Sequence, residues 1–339
     1  MHARHLLLFC LAGTNLLPAA GYRLTGPYNH EQTTVYLVHP LQTQPIAGRK
    51  YLPLKEALAQ RKVAVHETGQ VNELAIENLS SDTDVFIQSG DIVKGGQQDR
   101  VFSTDLILPP KSGRTKIESF CVEQGRLSRR GGEDVRIFSA SANAIVSKDA
   151  KLAIKGSKNQ GDVWKSVARM QDKLAGALGA TGVVGGLPAV ASAASPTSLQ
   201  LSLENKTVNQ NAEKHATALR KMLDGQAGAI GYVFAVNGEI QSADVYASPV
   251  LFRELWPKQA QALAIEAIAE KRKPAAAPLA SASALAFLTN AEQASAATPM
   301  PQAPNGRTRV VKKDSAKVLF VESHDSASKS WVHRSYTAK

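Results

Sequence analysis

The chain has 339 residues, 43 % of them hydrophobic, and a formal net charge of +11. The length allows one large domain or two small ones, and the apolar content excludes a chain disordered throughout. The basic residues are scattered without a run of five or more, even around Arg129-Arg130, Lys271-Arg272-Lys273 and Lys312-Lys313. A solvated basic surface therefore explains them better than a dedicated nucleic-acid patch.

Residues 1–21 carry a basic start with Arg4, an apolar stretch over 6–17, and the small-residue boundary Pro18-Ala19-Ala20-Gly21. This is the pattern of a cleavable secretory signal, cut before Tyr22, with an apolar core too short to span a membrane. A buried N-terminal helix is the alternative. The expected location is exported, periplasmic or extracellular. After the cut, Cys121 is the one remaining cysteine.

Residues 22–155 read as β-rich. Strands are expected over 35–38, 63–66, 71–79, 85–87, 106–108 and 117–123, with a short helix over 54–61, and Gly, Pro, Asn and Asp between them. Over 71–79, Leu74 and Ile76 face one way and Glu73 and Glu77 the other. Strands this short at this spacing point to an antiparallel sandwich or barrel.

Residues 156–272 read as helices plus a hairpin. Val163, Val167, Met170, Leu174 and Leu178 make one helical stripe, and Ala212, Ala216, Leu219 and Leu223 another over 211–223. The uncharged stretch 174–203, rich in Gly, Ala and Ser, reads as a long loop and lacks the bulky content of a membrane span. Asn237-Gly238 between 232–236 and 239–246 is a hairpin signal, because both residues accept positive φ. Ser248-Pro249 opens a helix to Arg272, kinked or broken at Pro257. Residues 273–306, rich in Ala, Pro and Ser, are a linker with room for a helix over 279–294. Residues 307–339 hold strands that return to the sheet. The fold class expected is α+β: one domain over 22–339, with a sandwich or barrel-like N-terminal half, packed helices and a C-terminal hairpin returning to the sheet. No later segment reads as transmembrane.

The densest polar signal is Gly90-Asp91-Ile92-Val93-Lys94-Gly95-Gly96-Gln97-Gln98-Asp99-Arg100. Gly95 and Gly96 permit a sharp turn or close approach to a ligand. Asp91, Gln97, Asp99 and Arg100 supply acceptors, an amide and a fork suited to an anionic group. The bland reading is a tight turn with a structural Asp–Arg pair. The second signal is Phe120-Cys121-Val122-Glu123-Gln124-Gly125-Arg126. On a strand, Cys121 and Glu123 share a face, roughly 7 Å apart. Cys121 becomes a nucleophile if Arg100 or Arg126 lowers its pKa, and otherwise is an inert buried residue. Glu123 suits general acid or base work, or a salt bridge with Arg126. Asp99, Cys121 and Glu123 are thus the candidate catalytic residues. Asp91, Gly95, Gly96, Gln97, Arg100 and Arg126 are the candidate ligand-binding residues. No cofactor is implied. No metal cluster is legible, because His39, His66 and His333 stand alone. Gly176, Gly179 and Gly182 follow no strand, and Ser326-Ala327-Ser328-Lys329 lacks partner motifs, so neither marks a site.

Residues 71–74, 77–78, 90–100, 108–112 and 120–126, continuing into Gly161-Asp162-Val163-Trp164 and 231–256, together resemble the family named for association with ADP-ribosylglycohydrolases and rhodanese-phosphatases. The resemblance covers most of the mature chain. It implies no defined activity, and the family's name, taken from gene neighbourhood, points toward ADP-ribose or phosphate-ester chemistry. Three functions follow: a ligand-binding or accessory module gripping a small anionic ligand, a hydrolase of such esters, or a structural envelope protein.

Overall fold

The computed structural model describes residues 21–41, 50–126, 130, 133–134, 136–144, 147–179, 190–192, 195–271, 277–294 and 296–339. The signal expected over 1–21 lies, apart from Gly21, outside them.

In chain order, β1 (Tyr22–His30) and β2 (Thr33–Pro40) form a hairpin, and β3 (Tyr51–Pro53) leads into α1 (Leu54–Ala59). Eight strands follow: β4 (Val63–Glu67), β5 (Glu73–Asn78), β6 (Asp84–Ile87), β7 (Asp91–Gly95), β8 (Arg100–Phe102), β9 (Leu106–Leu108), β10 (Thr115–Cys121) and β11 (Phe138–Ala144). Helix α2 (Lys148–Leu152) runs into a π-helical turn at Ala153–Ser157, then come α3 (Gln160–Ala177), α4 (Leu199–Leu203) and α5 (Lys206–Lys221). The hairpin β12 (Gly231–Val236) and β13 (Glu239–Tyr246) precedes α6 (Pro249–Ala269) and α7 (Ser281–Gln293). The chain closes with β14 (Thr298–Pro299), β15 (Thr308–Asp314), β16 (Val318–Asp325) and β17 (Trp331–Ala338).

The architecture is α+β. The largest sheet has the order β1-β2-β12-β13-β17-β16-β15-β14, antiparallel throughout. The C-terminal strands thus return to the first two, and the β12–β13 hairpin lies between. Its Asn237 and Gly238 both have positive φ, as the turn requires. Both faces are covered. Tyr232, Phe234 and Val236 point into a core with α6, while Val233 and Ala235 point into a second core with α7. That double burial is why β12 reads as a continuous apolar run rather than an alternating one. Gly231 is demanded by close approach, since a Cβ there would lie 2.3 Å from the Asp244 carbonyl oxygen.

The second sheet, β11-β7-β8-β10-β5-β4, is antiparallel and barrel-like: its edge strands β11 and β4 approach each other. Val65, Leu74, Ile76, Phe102, Ile117 and Phe138 fill it, together with Val85, Ile87 and Leu108 of the small mixed sheet β3-β6-β9 and Leu54 of α1.

Several expectations need correction. The polar stretch 90–100 holds strand β7 and the first residue of β8, with residues 96–99 turning between them. The loop expected over 174–203 is helical at both ends, where Leu174, Leu199 and Leu203 bury and Ser198 caps α4; residues 180–189 lie outside the described residues. Helix α6 runs unbroken through Pro257, although an interior proline costs about 3 kcal/mol. Burial on nearly every side, from Leu251 to Ile268, outweighs that cost. The linker region contains α7, for which the sequence left room.

Candidate functional site

The two polar segments meet. β8 pairs with β10, placing Arg100 opposite Cys121, and the Asp99 N–H donates to Glu123 Oε2 at 3.0 Å. Asp99 and Glu123 are each 0 % exposed. Arg130 grips Asp99 with both terminal nitrogens, Nη1 to Oδ2 at 2.9 Å and Nη2 to Oδ1 at 3.0 Å. The Gly95 N–H donates to Asp99 Oδ1 at 2.9 Å and the Ser198 hydroxyl to Oδ2 at 2.7 Å. Glu123 Oε1 takes Arg130 Nη1 at 3.1 Å and lies 2.8 Å from Arg126 Nε. Every carboxylate oxygen of the pair therefore holds at least one donor. Burial alone would lower the Arg130 pKa, but its bonds to Asp99 and Glu133 outweigh that and raise it. Arg126 also donates to the carbonyls of Gly96 at 3.0 Å and Gly95 at 3.1 Å. Both glycines have positive φ, and a Cβ on Gly96 would lie 2.1 Å from the Phe138 ring.

The remaining candidates separate from this pair. Arg100 donates to the Val71 carbonyl at 2.6 Å and to the Cys121 sulfur, with Glu67 Oε2 at 3.4 Å. Its two terminal nitrogens are thus engaged within the protein, with Glu67 as their carboxylate partner. Cys121 is 0 % exposed, and burial pushes its thiol pKa up despite Arg100 beside it. The strand ends at Cys121, so Cys121 and Glu123 serve different networks instead of one shared face. Gln97 is exposed, and its N–H donates to Glu67 Oε1 at 2.8 Å. Asp91 faces away from Asp99 and pairs with the buried Lys258 of α6, while accepting from the Gln88 N–H at 3.1 Å.

A larger buried network carries no sequence motif. His333 of β17 bridges two carboxylates, with Nδ1 2.7 Å from Asp105 Oδ2 and Nε2 3.1 Å from Asp244 Oδ1. Burial opposes its charge, but Asp105 and Asp244 outweigh burial and push its pKa up to about 9. Its ring stacks on Tyr246 at 4.6 Å. Tyr232 donates to Asp244 Oδ2 at 2.5 Å, the Ser89 N–H to Asp105 Oδ1 at 2.7 Å, and Gln88 to the Tyr246 hydroxyl at 2.8 Å. Lys155 reaches Ser335 at 2.7 Å, and burial lowers its pKa. The residues pairing here are up to 228 positions apart, so no spacing could reveal them.

An open groove lies elsewhere, where the π-helical turn meets α3 and β16. It encloses about 590 Å³, floored by Leu152, Ala153, Gly156 and Leu319. Lys165, Arg169 and Lys339 stand on its rim against Asp162, Asp149 and Asp314. Lys165 and Arg169 are 72 % and 54 % exposed and pair only at 3.8 and 3.4 Å. Exposed pairs of this kind are worth about 0–1 kcal/mol, so these cations separate easily from their partners.

The fold is that of an α+β chain with a barrel-like sheet around an apolar core and buried ion networks beside it. Residues 21–337 match the model of the ARG and Rhodanese-Phosphatase-superfamily-associated Protein domain, and the chain belongs to that family. No curated protein and no solved structure matches the chain. No helix among the described residues is long and apolar enough to cross a membrane.

Proposed function

We propose that this protein acts by binding, as a ligand-binding or accessory module, and that its ligand is small and anionic. The observation that carries this reading is the contrast between two charged regions. Asp99 and Glu123 are sealed and saturated, whereas the cations beside the π-helical turn are exposed and weakly paired. A general base must come within hydrogen-bond reach of the proton it takes. A substrate would have to displace Arg130 and Ser198 from Asp99, or Arg130 and Arg126 from Glu123. Cys121 has the wrong environment for a nucleophile, since a thiol reacts as thiolate and burial favours the neutral form.

The groove is open to solvent and lined by Asp149, Asp162 and Asp314 as well as by Lys165, Arg169 and Lys339. Its volume falls within the roughly 300–1,000 Å³ of small-molecule sites. π-helical turns occur frequently at functional sites. Lys165 and Arg169 sit where an anionic group would exchange their carboxylate partners for itself. The proposed location is exported, supported by the sequence pattern of residues 1–21 and by the start of β1 at Tyr22.

The test is turnover and melting measured together on Asp99→Asn and Glu123→Gln, with ADP-ribose and nitrophenyl phosphate esters as substrates. The expected result is a lower melting temperature in both variants and no turnover by the parent above background. Turnover by the parent that Glu123→Gln abolishes would replace this reading with a hydrolase.

A further inference from the structure

A third polar cluster sits apart from both networks and from the groove. At the tip of the β1–β2 hairpin, His30 and Glu31 meet His215 of α5. One ligand-capable atom from each residue lies within 4.8 Å of the other two. Neighbouring residues on a strand point to opposite faces. Glu31 escapes that rule because it sits in the hairpin turn at φ +49°, and so positions 30 and 31 converge on one point. The tip is fixed from behind by Gln32, whose side-chain amide donates to the Ala267 carbonyl of α6 at 3.1 Å.

His215 is 7 % exposed, yet neither ring nitrogen has a hydrogen-bond partner among the described residues. Leaving a buried polar group unpaired costs about 1–3 kcal/mol. Its Nε2 lies 3.7 Å from Glu31 Oε2, beyond hydrogen-bond distance, and its ring stands edge-on to His30 with centroids 4.4 Å apart. The Glu31 carboxylate is held at 2.9 Å by Lys271, whose side chain is 45 % exposed and free to swing into solvent.

We propose that His30, Glu31 and His215 form a binding site for a divalent transition-metal ion of the zinc class. Two imidazoles and one carboxylate are a donor set that zinc accepts in three-ligand sites, with a fourth position left for water. Imidazole donors exclude calcium and magnesium, which take oxygen ligands. Ligand atoms about 2.1 Å from a tetrahedral zinc ion lie about 3.4 Å apart, so a cluster whose atoms lie within 4.8 Å of one another closes on the ion by up to roughly 1.4 Å. The half-exposed His30 and the exposed Glu31 supply that adjustment. The ion takes the place of the Lys271 ammonium as counter-charge to Glu31. It gives the unpaired His215 nitrogen its partner and ties the hairpin tip to α5.

The experiment is a titration of the untagged full chain with Co²⁺ at neutral pH, followed by visible absorption, with Zn²⁺ as competitor. One equivalent of cobalt is expected to bind with the visible bands of a low-symmetry nitrogen–oxygen site, and zinc is expected to erase them. Losing only an outer partner of a metal ligand costs 10–100-fold in affinity, so His30→Ala and Glu31→Gln should each weaken binding by at least about 100-fold. Both positions are at the surface, so neither substitution threatens folding. Lys271→Ala should bind at least as tightly as the parent. Absence of the cobalt bands, or bands that either His30→Ala or Glu31→Gln leaves unchanged, would overturn the proposal.

Discussion

His333 gives the structure a pH dependence that can be worked through. Its pKa is raised from 6.5 to about 9 because, although burial opposes charge, Asp105 and Asp244 hold the imidazolium between them. A group whose folded pKa lies above its unfolded value binds more protons in the folded state between the two values. Stability therefore falls as pH rises through that window. The contribution is fully present below pH 6.5 and is lost as pH passes about 9. At 1.36 kcal/mol per pKa unit, the difference amounts to about 3 kcal/mol. Urea unfolding, followed by tryptophan fluorescence at intervals from pH 6 to 9.5, measures it. Lys155, held low by burial, pulls the opposite way near its own titration, so the quantity to plot is the stability of the parent minus that of His333→Gln. The gap should shrink by about 3 kcal/mol across the range. A gap that stays constant would mean that His333 is neutral in the fold and that the bridge between Asp105 and Asp244 is misread.

Other outcomes follow from the same contacts. Asp99→Asn and Glu123→Gln each remove one partner from a buried ion network and should destabilise the chain by about 3–5 kcal/mol in urea unfolding. Gly96→Ala places a methyl group against the Phe138 ring at φ +55°, and should cost at least about 1 kcal/mol by the same assay. In a Cys10→Ser chain, Cys121 should resist a water-soluble disulfide reagent at pH 8 until urea is added, because the thiol is buried and its pKa raised. Rapid labelling of the native protein would show an accessible thiolate instead.

What the sequence disclosed depended on how local the causal contact is. The β12–β13 hairpin was legible because Asn237-Gly238 alone determines its turn. The pairing of Glu123 with Arg126 was legible because three positions separate them. The meeting of segments 90–100 and 120–126 was not, because it depends on β8 lying beside β10. Arg130, which holds Asp99 most firmly, is visible in the sequence only as half of a basic pair. His333 stands alone in the sequence, and its partners Asp105 and Asp244 lie 228 and 89 residues away. Asp91 and Asp99 sit eight positions apart on one polar stretch, yet pair with Lys258 and Arg130 respectively. The unbroken α6 shows the same limit from the other side: Pro257 is a local signal that tertiary burial overrides.

The most direct test of the binding account is a thermal-shift titration of the parent and of Lys165→Ala/Arg169→Ala with ADP-ribose, sugar phosphates and inorganic phosphate. A ligand at 100 times its Kd stabilises the folded state by about 2.7 kcal/mol. The melting temperature of the parent should rise with at least one of these anions, and the double variant should not respond. A rise that survives the double substitution, or no rise with any of them in the parent, would contradict the assignment of the groove as the ligand site.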